Sequence, residues 1–445
     1  MSTMKGFTAL ALCITFFVGF SGHLHADEEA TSDVPASGSE KPLEKAENID
    51  LEKPIEKLPE ATVDSADLTA QDKTTTTEAQ TPAEEYYDDG VPFVLLGKEV
   101  PPRTATRMSW TPSQSFEGIA GSTPVLVVNG TRQGPVLCLT AAIHGDELNG
   151  IEIVRRVMYD IEPEKLTGTV IGVPIVNLQG FRRNSRYLTD RRDLNRYFPG
   201  NPDGSLASRI AYSFFSEIIE QCSYLVDLHT GSFHRTNLPQ IRADLLNSSV
   251  VELSQGFGST SVLHSGGAKG TLRYAANMHG IPTVTLEAGE PMRLQDKEVA
   301  HGVKAIQTLM NKLDMLKKAR FWGKPEPVFY ESTWVRADYG GILFSEVFLG
   351  KRVKSGEVLG TVTDPITNKR HEVKSPEKGR VLGMALNQVV MPGFAAFRIG
   401  IEREENEVIS PASEDPENLD SSGIDSSSTG DVAASDPDYE PETAE

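Results

Sequence analysis

The chain is short of cysteine, of tryptophan and of long apolar runs. Three Cys and three Trp occur among 445 residues. Cys13 lies in the first apolar stretch, so only Cys138 and Cys222 follow it. Two cysteines make no disulfide framework, which excludes a small stapled fold. Both lie in or beside apolar runs, 135–142 and 224–228. They read as buried free thiols, and pairing is open to them only if the protein is exported.

No segment reaches the roughly 20 consecutive apolar residues of a membrane helix. The longest such run, Phe7–Phe20, follows Lys5 and gives way to small and polar residues ending at Ala26. A charged start, a short apolar middle and a small residue make an export signal over 1–26. The mature protein is therefore expected to be exported, periplasmic or secreted, with no stable membrane span after cleavage. If the signal is kept, it is a tether.

Basic charge is scarce overall, with 43 Lys and Arg against 63 acids and a formal net charge of -20. The deficit is uneven. Residues 27–90 hold nineteen acids and five Lys, and 402–445 hold fifteen acids and one Arg. Both segments are too polar and too charged to bury a core, and both read as disordered acidic spacers. Residues 91–401 hold 36 bases and 29 acids, so the part that folds is basic. That weakens any reading as an acidic scaffold.

Within 91–322, apolar runs alternate with helical patterns. Val125–Asn129, Val136–Ala142, Thr169–Ile175, Tyr224–Leu228 and Thr283–Leu286 read as strands. Glu147–Tyr159, Leu206–Glu220, Leu272–Met278 and Lys297–Leu316 read as helices. Short continuous apolar strands between helices predict a mainly parallel mixed sheet with helices on both faces, an α/β fold. Residues 323–401 change to short strands between Gly and Pro turns, such as Val353-Lys354-Ser355-Gly356-Glu357. That is a small all-β module, and its turns resemble a biotinyl/lipoyl barrel sandwich. Lys369 lacks the flanking Met of a swinging arm, so the module reads as structural.

Chemistry concentrates at three strand ends, where parallel sheets gather active groups. Ala141-Ala142-Ile143-His144-Gly145-Asp146-Glu147 leaves a strand and opens a helix. His144 and Glu147 can converge there as metal ligands, although His-x-x-Glu alone is weak. Tyr224-Leu225-Val226-Asp227-Leu228-His229 supplies a second strand-end His, completing three ligands with a position left open. Asp227, two residues earlier, can orient that imidazole or serve in a plain buried ion pair. Thr283-Val284-Thr285-Leu286-Glu287-Ala288-Gly289 adds a carboxylate beside the metal, placed to accept a proton. Glu287 is preferred to Glu290 because it directly ends the strand. Between the first two motifs, residues 182–196 hold six Arg. Interleaved Asp190 and Asp193 make a poor nucleic-acid track, whereas guanidinium forks suit carboxylates.

His-Gly-Asp-Glu, Asp-Leu-Asn-Arg-x-Phe-Pro-Gly, Asp-Leu-His-Thr-Gly and Thr-Leu-Glu-Ala-Gly occur in that order. The set resembles the succinylglutamate desuccinylase/aspartoacylase family, a branch of the zinc-carboxypeptidase-like clan. The resemblance covers about 91–400 and includes a β module after the catalytic domain. It implies one Zn2+ per chain on His144, Glu147 and His229, with Glu287 as general base and then acid. It implies that Arg186 stabilises the oxyanion and that Asn195 and Arg196 grip a substrate carboxylate, with Arg273 a further contact. Thr189-Asp190-Arg191-Arg192-Asp193 departs from the Pro-Asp-Gly-x-Asp often found there, which touches fine substrate geometry. The expected protein is an exported zinc-dependent deacylase of N-acyl amino acids or related acylated amines. Its partner is a small anionic acyl-amine or peptide substrate and not nucleic acid. A metallocarboxypeptidase acting on cell-wall or other peptides uses the same parts and is the alternative. A binding protein with a vestigial metal site is the third reading.

Overall fold

The computed structural model describes residues 90–112, 121–316 and 327–401. The signal, nearly all of the acidic linker and the acidic tail lie outside these residues. Among the described residues no helix is long and apolar enough to cross a membrane.

The centre of the molecule is a 13-stranded mixed sheet. Four parallel neighbours form its heart: Thr167–Val173, Arg132–Ala141, Tyr224–His229 and Thr283–Gly289. Antiparallel pairings extend it on both sides, through Thr123–Asn129 on one and Arg235–Ala243 on the other. The central strands are buried on both faces, which is why they read as unbroken apolar runs. Alternate residues serve opposite cores. Cys138, Ile171 and Leu225 pack with Phe214 and Leu272 of the helices Leu206–Glu217 and Leu272–Met278. Leu137, Leu139, Val226 and Leu286 pack with Ile153 and Leu309 of the helices Leu148–Asp160 and Asp296–Lys312. Each fully buried Leu or Ile contributes roughly 1.5–3 kcal/mol.

The two thiols do not stay free. Cys138 and Cys222 form a disulfide, with 5.8 Å between their Cα atoms. The cause lies in the topology. Cys138 sits mid-strand, and Cys222 lies just ahead of the parallel neighbour Tyr224–His229, whose first residue pairs with Leu137. Both side chains turn to the same core. Apolar flanks marked burial correctly but carried no information about which strands would be adjacent.

The strand Arg235–Ala243 is absent from the expectations above, because Pro239 and its polar neighbours leave no apolar run there. It joins the two parts of the chain. On one edge it pairs with Thr283–Gly289, and on the other with Gly379–Ala385 of the β module. The module therefore continues the catalytic sheet through Gly379–Ala385, Ala395–Ile401 and Ser332–Arg336. A separate four-stranded sheet completes it around its own core, which includes Leu343, Leu359, Val381 and Phe397.

Candidate active site

His144, Glu147 and His229 converge where the parallel strands end. Their ligand atoms all lie within 4.8 Å of one another. His144 Nδ1 is 2.8 Å from Glu147 Oε1, and His229 Nδ1 is 2.9 Å from Oε2. Glu147 forms the N-cap of the helix that follows, one step short of the first helical turn expected for it. Its backbone is extended there, and Oε2 also accepts the Thr230 amide at 3.0 Å. The approach leaves no room for a side chain at Gly145. A Cβ there would come within 2.1 Å of the backbone at Gly180 and Phe181. That explains the glycine in His-Gly-Asp-Glu.

Each imidazole is oriented from behind by a carboxylate. His229 Nε2 lies 2.7 Å from Asp227 Oδ2, while Thr140 on the adjacent strand donates to Oδ1 at 2.7 Å. His144 Nε2 lies 3.1 Å from Asp193 Oδ1. Asp193 is in turn fixed by the Asn195 amide at 2.9 Å and by Arg186 Nη2 at 2.9 Å. Sequence reading found Asp227 but counted Asp193 only as a charge within an Arg-rich loop. Its position two residues before Asn195 was the available signal. Both imidazoles thus present Nδ1 to one point, and a nitrogen–oxygen–nitrogen set with carboxylates behind the histidines suits a divalent metal.

The electrostatics agree. Burial disfavours the charged form of Glu147, yet the two imidazoles hold its carboxyl well below the usual range. Burial and Arg186 depress His144, but Glu147 and Asp193 outweigh them and raise it. Burial likewise opposes charge on His229, and Asp227 and Glu147 push it well above its ordinary value. Without metal, then, both imidazoles bind their protons more tightly than a free histidine does, and a metal must displace them. Metal affinity should rise with pH until the pH passes their raised pKa values. Calorimetric titration of metal in two buffers of different ionisation enthalpy should detect proton release at neutral pH.

The other expected residues line the same pocket: Glu287, Arg186, Asn195, Arg196 and Arg273. Glu287 stands in register beside His229 on the neighbouring strand. Asn237 donates to its Oε2 at 3.0 Å, and Arg242 Nε is 3.4 Å from Oε1. Glu290 turns instead to Arg293, at 3.0 Å. Arg186 lies against Asp193 and also 3.3 Å from Glu147 Oε1. Asn195 Oδ1 accepts the Leu272 amide at 2.8 Å, tying this loop to a helix start. Arg273 is braced by the carbonyl and hydroxyl of Ser265.

Of the six Arg in 182–196, only Arg186 and Arg196 reach the pocket. Arg183 bonds the carbonyls of Tyr187 and Leu188, and Arg192 bonds Asp190. The pocket draws other cations from elements that sequence reading passed over, namely Arg235 and Arg242 on the bridging strand. Trp334, from the β module, adds an aromatic wall.

A strand-end His/Glu/His cluster facing a carboxylate, on a mixed α/β sheet, suits metal-assisted hydrolysis. Residues 133–313 match the family model described as the succinylglutamate desuccinylase/aspartoacylase catalytic domain. The N-alpha-acetyl-L-2,4-diaminobutyric acid deacetylase of Halomonas elongata is 27% identical over 254 residues, which is 54% of this chain and 74% of that protein. The fold is shared with a succinylglutamate desuccinylase from Silicibacter sp. TM1040, with a TM-score of 0.62 and 22% identity over 70% of this chain and 98% of that one. The product-bound ectoine utilization protein EutE (DoeB) from Ruegeria pomeroyi gives a TM-score of 0.62 and 22% identity, over 71% and 99% of the two chains.

Proposed function

We propose that this protein is an exported zinc-dependent deacylase that hydrolyses the amide bond of N-acyl amino acids or related acylated amines. One observation carries the reading: His144, Glu147 and His229 share a single pocket with Glu287. Zinc suits the two nitrogens and one oxygen, and when bound it supplies Lewis acidity towards a carbonyl and lowers the pKa of water. Glu287 accepts the proton lost by the attacking water and delivers it to the departing nitrogen. Asn237 and Arg242 hold that carboxylate in place. Arg186 offsets charge developing on the substrate oxygen. Arg196 and Asn195 hold the substrate carboxylate, with Arg273 as a further contact.

The Halomonas relative, a deacetylase, supports acyl-amine chemistry for this chain too. Enclosure favours the same reading over a carboxypeptidase. Trp334 of the β module walls one side of the cavity, and a cleft narrowed in this way suits a small acyl group better than a peptide. Incubation with a mixed pool of N-acyl amino acids and muropeptides, read by mass spectrometry, tests the choice. Loss of acyl groups from the amino acids with the muropeptides untouched is expected, and trimmed peptides would reverse it. Trp334→Ala should admit longer acyl chains and raise their kcat/KM about tenfold or more relative to acetyl, since one methylene alone discriminates by ~10-fold or more. Equal selectivity in the variant would remove Trp334 from the acyl wall.

Export rests on Lys5 and the apolar run Phe7–Phe20, with support from the Cys138–Cys222 disulfide. Such bonds persist in oxidising compartments.

A further inference from the structure

The turn after the second histidine is strained. Phe233 and His234 both take positive φ, at 52° and 57°. A bulky residue rarely adopts that conformation, and it persists only where surrounding contacts enforce it. The β module supplies the contacts. The His234 carbonyl accepts the Leu386 amide at 2.8 Å and Gln388 Nε2 at 2.9 Å. Next along the chain, Arg235 donates from Nε to the Ala395 carbonyl at 3.0 Å.

The turn brings the Phe233 ring within reach of two cations. The Arg186 guanidinium carbon lies 5.3 Å from the ring centroid, and that of Arg235 lies 5.9 Å from it. Arg235 also stands 5.1 Å from the Trp334 ring and 5.0 Å from Phe394. Trp334 also meets Arg398, at 5.4 Å. Guanidinium and ring thus alternate from Arg186, beside the metal-ligand cluster, to Arg398 inside the β module. Distances below about 6 Å fall within the attractive range of a cation over a ring face.

We propose that Phe233 is a positioning residue, through which the β module holds Arg186 at the reacting carbonyl. The ring takes up one side of the guanidinium while Asp193 takes its edge. Arg186 then arrives oriented, and little reorganisation is left for the reaction step. The strained backbone is the cost of bringing the ring there, and the module's grip on His234 maintains it. The inference rests on the deacylase reading, because it gives Arg186 work at a substrate oxygen.

The test compares Phe233→Ala, Phe233→Gly, Phe233→Trp and Gln388→Ala in the full chain. The substrate is the N-acetyl amino acid that wild type cleaves fastest. Phe233→Ala should lower kcat about ten- to a hundredfold, the order expected for a displaced catalytic group. KM and zinc content should stay near wild type. Phe233→Gly tolerates positive φ without a side chain. It should melt at or above the wild-type temperature and still lose the same kcat. Phe233→Trp should restore most of the rate, and Gln388→Ala should lose an intermediate share. Phenylglyoxal labelling followed by peptide mass spectrometry gives a readout independent of turnover, in which Arg186 should react several-fold faster in Phe233→Ala. The proposal is overturned if Phe233→Ala keeps wild-type kcat and wild-type Arg186 labelling, or if kcat across the set follows melting temperature instead of the ring. If wild type cleaves no acylated amine, the deacylase reading fails, and the labelling result alone decides whether Phe233 holds Arg186.

Discussion

Glu287→Gln should leave one metal ion bound per chain and lower kcat by roughly 10²–10⁴-fold, the usual contribution of a positioned acid or base. Glu287 is buried at the end of Thr283–Gly289, in register with His229 but outside the ligand set. Glutamine keeps the shape and offers Asn237 an oxygen, but it cannot take a proton from water. Its NH2 faces Arg242, where a carboxylate oxygen now lies 3.4 Å away. A small fall in melting temperature should accompany the loss of rate. Metal analysis, thermal melting and turnover on one preparation separate these effects. A variant with wild-type kcat would show that the proton leaves by another group.

His229→Ala should remove both metal and turnover. It takes away one of three donors and breaks the chain Thr140–Asp227–His229–Glu147. Asp227 is then left buried with only Thr140 in place of two partners. A buried acceptor that loses its partner costs about 1–3 kcal/mol, and more when charged, so the variant should also melt several degrees lower. Asp227→Asn is the informative contrast. It keeps all three donors and disturbs only the support behind one, so metal affinity should fall about 10–100-fold without being abolished. Competition with a chromophoric chelator measures both. Full metal loading of His229→Ala would move the centre elsewhere.

The parts of this site that can be read from sequence are those at strand ends. His144, His229 and Glu287 each follow an apolar run, and parallel strands carry such residues to a common edge. The helix Leu272–Met278 emerged with the expected limits because Thr271 caps its start and apolar positions recur along it. The bridging strand did not, because burial of a polar sequence with Pro239 depends on two neighbours distant in the chain. For the same reason Arg235, Arg242 and Trp334 went unnoticed, being brought to the pocket by sheet pairing across the module. The disulfide turned on adjacency as well. Charge counting overstated the Arg-rich loop, since Arg183 and Arg192 hold the loop itself together and only Arg186 and Arg196 of the six face the cavity.

The basic character of 91–401 has a structural destination nonetheless. Arg186, Arg196, Arg235, Arg242 and Arg273 all line one pocket, against Glu147, Asp227 and Glu287. Two of those acids serve the histidines and the third faces Arg242. That this set of guanidinium groups receives a carboxylate-bearing substrate is part of the proposal.

The most direct measurement is metal depletion and return. The purified protein is stripped with a chelator, its metal content is checked, and zinc is added back stepwise. Hydrolysis of an N-acyl amino acid pool is followed at each step. No turnover is expected in the stripped protein, with linear recovery that saturates at one zinc per chain. Undiminished hydrolysis without metal, or none with one zinc bound, would contradict this expectation.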